Sequence, residues 1–239
     1  MIPIIFLDDG GVINDNARRA PQWQRLVGDF FSPRLGGTVG QWARANASVF
    51  ERQFPEFLAA IREDPFLDPT ALRAAMNDRW LVEMASEVGV PPPPDAAERQ
   101  ILSEQASAYI VRRTHSDYPG AVEAIKTLHA AGHTLHTASG EHSTDLDGYL
   151  TALGIRDRFG TLYGVDLVGM QKSGPHFYER VFAHAEVAPE IALVVDDSES
   201  VLDSAAAVGA RTVLCRIEPP VSSRHGHIGS LAELPNLIR

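Results

Sequence analysis

The stretch Phe6–Leu7–Asp8–Asp9–Gly10–Gly11–Val12–Ile13–Asn14–Asp15 carries the reading of the fold. The apolar run Ile2–Leu7 leads into it and stops abruptly on two aspartates. The run is continuous rather than alternating, as expected of a strand buried on both faces of a parallel sheet. No basic leader precedes it, so it reads as a strand and not as a signal peptide.

Three further runs read the same way: His133–Ala138, which is interrupted by His136, then Ile191–Val195 and Arg211–Arg216. Helical patterns lie between them. Ala121–Ala131 carries Val122, Ile125 and Leu128 at helical spacing and is followed by Gly132, a stop signal. Thr144–Leu153, His176–His184 and the Ala-rich Ser198–Val208 are also predicted helices. Alternation of strand and helix implies an α/β fold, a Rossmann-like parallel sheet with helices on both faces.

Residues 16–115 differ. They show no strand pattern, they are rich in Arg, Ala, Leu and aromatics at helical spacing, and they hold Trp23, Trp42 and Trp80. Trp side chains so spaced read as core. Pro91–Pro92–Pro93–Pro94 is a stiff extended joint between helices, and Asp95 caps the helix after it. The expected organisation is an α/β core of residues 1–15 and 116–239 with an all-helical domain, 16–115, inserted after the first strand.

Hydrophobic residues make up 44% and charged residues 22% of 239, ordinary values for a globular protein. The net charge of −10 argues against a nucleic-acid or membrane-surface partner, either of which would require a basic face. No apolar run approaches the ~18 residues that span a bilayer. The single cysteine, Cys215, sits in Thr212–Val213–Leu214–Cys215 and reads as a small buried hydrophobe. A reducing, cytoplasmic location is the expectation.

In an open parallel sheet, ligands bind beyond the carboxyl ends of the strands. Here those ends carry Asp8–Asp9, Ser139–Gly140 and Asp196–Asp197, and a loop between them carries Lys172. Carboxylates crowd together only when a cation or protons compensate them. Hard oxygen ligands suit Mg²⁺.

These pieces, in this order, resemble the four signature motifs of the haloacid dehalogenase superfamily. Asp8 through Asp15 resembles the first motif, Ser139 the second, Lys172 the third, and Asp196–Asp197 with the Ala-rich helix and Gly209 the fourth. Tyr118–Pro119–Gly120–Ala121 matches the return from the family's inserted cap. The resemblance implies a hydrolase for a small phosphorylated metabolite. Asp8 is then the nucleophile, forming an aspartyl-phosphate. Asp8, the Gly10 carbonyl, Asp196 and Asp197 would hold Mg²⁺. Ser139 and the Gly140 amide would hold phosphate oxygens, Asp9, Gly10 and His142 would also contact the substrate, and Lys172 would neutralise developing charge.

One position departs from the pattern. The family's phosphatases carry a second aspartate, the general acid/base, where this chain has Gly10. His142, three residues past Ser139, is the candidate substitute, since an imidazole titrates near neutrality. Two other readings stand beside the phosphatase: a metal-independent dehalogenase using Asp8 on carbon, and a ligand-binding or regulatory descendant with impaired turnover. The family's dehalogenases replace the acidic fourth motif, whereas Asp196–Asp197 is retained here. Lys126 and Lys172 are the only lysines and neither lies in the insert, which disfavours the Schiff-base branch of the family.

Overall fold

The computed structural model describes residues 3–218 and 222–238; Ile2 of the first predicted strand lies outside them. In chain order the elements are β1 (Ile4–Leu7), α1 (Asn16–Leu35), α2 (Val39–Glu63), α3 (Pro69–Val88), α4 (Ala96–Val111), α5 (Ala121–Ala130), β2 (Leu135–Ala138), α6 (Ser143–Ala152), β3 (Leu162–Tyr163), α7 (Val165–Val168), α8 (Pro175–Ala185), β4 (Ala192–Asp196), α9 (Glu199–Ala207), β5 (Arg211–Cys215), β6 (Gly226–Ile228) and α10 (Leu234–Leu237). The chain divides into two compact units. One comprises the residues up to Asn16 and those from His115 onward, and the other is Ala17–Thr114.

The first unit is built on a six-stranded sheet of order β3-β2-β1-β4-β5-β6. Every pairing is parallel. The chain winds outward from β1 to β3, then crosses back to lay β4 on the other side of β1. The strand order therefore reverses between β1 and β4, and ligands bind at such a reversal. Successive strand residues face opposite ways. Ile5 and Leu7 pack on one side with Ile125, Leu128 and Leu193. Phe6 packs on the other with Phe177, Tyr178 and Phe182. Phe6 is wholly buried, and truncating such a side chain to Ala costs about 3–5 kcal/mol.

His136 does not break β2. It lies opposite Phe6 in the parallel register and its ring stacks on Phe6 at 5.2 Å between centroids. Its Nδ1 accepts the Thr161 amide hydrogen at 3.0 Å. Burial holds its pKa below the ordinary histidine value. Cys215 is buried as read from the sequence, and burial pushes its thiol up to about 12. A thiol held in that way is not a nucleophile near neutral pH. Strands β3 and β6 were not visible in the sequence, because two and three residues are too few to show a period.

In the second unit, helices pack around Trp42, Phe31, Leu81, Met84 and Ile110, with Trp23 and Trp80 partly buried against them. It contains no strand. Trp42 donates its indole N–H to the Gly36 carbonyl at 2.8 Å, which lets so large a polar-tipped ring be buried. The four prolines form the extended joint between α3 and α4, and the Asp95 carboxylate accepts from the Ala97 and Glu98 amides at 2.9 and 3.0 Å, capping α4. Among the described residues no helix is long and apolar enough to cross a membrane.

Candidate active site

Asp8 leaves the end of β1 with its amide bonded to the Val195 carbonyl of β4 at 3.0 Å. The chain then folds back sharply. The Ile13 and Asn14 amides reach the Asp9 carbonyl at 2.9 and 2.8 Å, and the Gly11 amide reaches the Asn14 carbonyl at 2.8 Å. Asp9 points into this loop rather than into the acidic cluster. It is wholly buried, and its carboxylate accepts from the Asn14 side-chain amide at 2.7 Å. Asn14 in turn accepts from the Ser116 hydroxyl at 2.9 Å. Asp9 thus braces the turn that aims its neighbour Asp8.

Lys172 lies between two glycines of positive φ, Gly169 and Gly174. Its ammonium donates to Asp8 Oδ1 at 2.8 Å and to Asp196 Oδ2 at 2.6 Å. The three side chains are 9%, 12% and 2% exposed, so this is a buried charge cluster. Asp196, the last residue of β4, also accepts the Ser198 amide through Oδ1 at 2.8 Å. Asp197 lies against Gly11. A Cβ on Gly11, whose φ is +87°, would stand 2.1 Å from Asp197 Oδ2, so a side chain there would be strained and would push the Asp197 carboxylate aside.

Carboxylate oxygens of Asp8, Asp196 and Asp197 all lie within 4.8 Å of one another. The charges feel each other. Burial raises the pKa of Asp8 to about 7, against the pull of Lys172 and with the help of Asp196. Burial and Asp196 raise Asp197 as well. Lys172 moves well above its usual value: burial opposes this, but Asp8 and Asp196 outweigh it.

Ser139 sits just past β2. Leu7 lies opposite Thr137, so Ser139 leaves its strand within one residue of the level at which Asp8 leaves β1. Its hydroxyl accepts the Glu141 amide at 3.3 Å. Gly140 is exposed, with open space where a side chain would be. His142 occupies the cap position of α6 without a side-chain cap bond. It lies in the field of Asp166. Burial works against ionisation of Asp166, but the Ser143 hydroxyl and amide and then His142 hold its carboxyl below the usual range.

Sequence reasoning missed Tyr178. Its hydroxyl is buried with no hydrogen-bond partner among the described residues. Burial pushes the phenol well above its usual pKa, and Lys172, Asp196 and Asp8 all act on it. The signal available was its position on α8, six residues past Lys172.

The family model for haloacid dehalogenase-like hydrolases matches residues 3–209. The chain belongs to that family. Among curated relatives, this haloacid dehalogenase-like hydrolase is 29% identical over 96 residues to a phosphoglycolate phosphatase of Mesorhizobium japonicum, covering 40% of this chain and 42% of the relative. It is 30% identical over 129 residues to (S)-2-haloacid dehalogenase 1 of Pseudomonas sp. (strain CBS-3), covering 52% and 56%. The matched stretches thus span about half the length of these relatives. The fold extends further: the structure of 2-haloacid dehalogenase from Pseudomonas syringae pv. Tomato superposes with a TM-score of 0.68 at 19% identity, covering 100% of this chain and 98% of that one.

Proposed function

We propose that this haloacid dehalogenase-like hydrolase cleaves a small phosphorylated metabolite in a Mg²⁺-dependent reaction through Asp8. The observation that carries the reading is the surplus of negative charge. Asp8, Asp196 and Asp197 converge within 4.8 Å, and the Lys172 ammonium bonds to Asp8 and Asp196. A divalent cation fits the remaining charge, and an all-oxygen donor set suits Mg²⁺. Asp8, Asp196 and Asp197, with the Gly10 carbonyl, would hold it. Bound there, it would neutralise phosphate charge and favour the ionised form of Asp8.

The residues then divide the work. Asp8 attacks phosphorus, and the electron pair of the breaking P–O bond leaves with the departing oxygen. Ser139 and the Gly140 amide hold the transferred phosphoryl oxygens, while Lys172 offsets their charge. Water then hydrolyses the aspartyl-phosphate and restores Asp8. Asp9 remains a brace. His142 stays the candidate for moving a proton. The helical unit is assigned the role of cap, on the strength of its insertion after β1, and a cytoplasmic location fits the reaction.

A second reading has its own support. Gly10 offers no acid, and displacement of halide from carbon requires none; a haloacid dehalogenase is also among the relatives. Assaying phosphate esters and 2-haloacids side by side, with Mg²⁺ and with EDTA, separates the two. Phosphate release that EDTA abolishes supports the first reading. Halide release indifferent to EDTA replaces it with the second.

A further inference from the structure

Gly10 has no side chain, yet the space one would enter is filled. A Cβ built on Gly10 would stand 3.0 Å from Asn16 Oδ1, 3.2 Å from Asn16 Nδ2 and 3.5 Å from Asn16 Cγ. The Asn16 carboxamide therefore lies on the path that a side chain at position 10 would take. The main chain brings it there: Gly10 bridges to Asn14, and Asp15 is pinned by its amide to the Ser116 carbonyl at 2.7 Å. Asn16 is exposed, and its carboxamide makes no hydrogen bond to another described residue. A polar group so placed beside the nucleophile's loop, and without a hydrogen-bond partner among the described residues, is available to a ligand.

We propose that the Asn16 carboxamide contacts the leaving group in the place of the absent acid, and that it restricts the enzyme to substrates whose leaving group is a weak base. This inference rests on the phosphatase reading. A carboxamide donates a hydrogen bond through Nδ2 but gives up no proton near neutral pH. It can stabilise charge on a departing oxygen without protonating it. As the Asp8 Oδ–P bond forms and the P–O bond breaks, the leaving oxygen keeps the electron pair and departs as an anion. Acyl phosphates and aryl phosphates tolerate this; alkyl phosphates, whose alkoxides are strong bases, do not. Asn16 thus becomes a specificity-determining residue for the class of phosphate cleaved.

The test compares acetyl phosphate, 4-nitrophenyl phosphate and glycerol phosphate, with Mg²⁺, in the native enzyme and in Asn16→Ala and Asn16→Asp. The native enzyme should favour the first two over glycerol phosphate by at least about 10²-fold, the contribution a positioned acid makes. Asn16→Ala should lower kcat on 4-nitrophenyl phosphate about 10- to 100-fold, the size of a lost hydrogen bond to a charged group, with KM nearly unchanged. Asn16→Asp, able to carry a proton, should raise glycerol phosphate turnover relative to 4-nitrophenyl phosphate. An exposed position tolerates both changes, so melting temperatures should stay within a few degrees. If Asn16→Ala leaves kcat within twofold on every phosphate, the inference is overturned. It is also overturned if the native enzyme cleaves alkyl and aryl phosphates equally well. Absence of any phosphate release with Mg²⁺ would instead sink the phosphatase reading. The leaving-group contact is then read on halide release from 2-chloropropionate, where Asn16→Ala must cost at least about tenfold in kcat. An unchanged rate there, or no halide release at all, overturns the contact as well.

Discussion

Lys172 Nζ stands 2.8 Å from Asp8 Oδ1, joining residues 164 positions apart in the chain. The same ammonium reaches Asp196 at 2.6 Å. One lysine thus ties the ends of β1 and β4 together at the point where the strand order reverses, and its charge opposes the burial that raises the pKa of Asp8.

Removing that ammonium leaves two buried carboxylates facing each other. Lys172→Met should destabilise the protein by about 3 kcal/mol, the cost typical of breaking a buried pair from one side. The loss should be larger at pH 8 than at pH 5, where protonation relieves the repulsion. Lys172→Met/Asp196→Asn should recover part of it. Chemical denaturation at both pH values checks this, and equal losses would show that Lys172 matters only for packing.

Cation binding must displace a proton from Asp8. With its pKa at about 7, Asp8 is protonated below that pH when no cation is bound. Mg²⁺ affinity should therefore rise about tenfold per pH unit up to roughly pH 7 and level off above it. Asp197→Asn should weaken binding sharply at every pH. Calorimetric titration between pH 5.5 and 8.5 reads both effects, and a flat profile would remove Asp8 from the ligand set.

The two adjacent glycines should answer substitution differently. A Cβ on Gly11 meets Asp197 at 2.1 Å and requires a φ of +87°. Gly11→Ala should cost about 1–3 kcal/mol and displace Asp197, lowering Mg²⁺ affinity as well. The nearest atoms that a Cβ on Gly10 would meet belong to the Asn16 carboxamide, at 3.0 Å. Gly10→Ala should cost under about 1 kcal/mol, and less still in an Asn16→Ala background. Gly10→Asp should then raise turnover of alkyl phosphates by up to about 10²–10⁴-fold. Melting curves and rates on the single and double variants decide it.

His136 predicts an acid limb of stability. Burial depresses its folded pKa below the ordinary 6.5. The unfolded chain therefore binds more protons as the pH falls through that value, and stability present above about pH 6.5 declines below it. His136→Phe retains a ring against Phe6 and removes the titration. The stability difference between pH 7.5 and pH 5.5 should shrink in this variant; an unchanged difference would assign the acid limb to other groups.

Much of this site is legible in order along the chain. Asp8, Ser139, Lys172 and Asp196–Asp197 each follow or separate recognisable strands, and a parallel sheet gathers strand ends at one edge. Tyr178 and Asn16 were not legible. Neither ends a strand, and each matters only through what lies beside it in space.

The alternation of strands and helices, the insertion after β1 and the order of the acidic strand ends can be read along the chain, because these depend on local apolar periodicity and on residue type. Only tertiary packing turns Asp8 toward the cluster and Asp9 away from it, brings both Asp196 and Asp197 in, sets how far Lys172 reaches, and puts Asn16 in the space beside Gly10. Asp8 and Asp9 are chemically alike and adjacent. A hydrogen bond from Asn14 turns Asp9 inward, while the crossing back to β4 brings Asp196 and Lys172 to Asp8. Direction and distance of that kind arise only when segments far apart in the chain pack against one another.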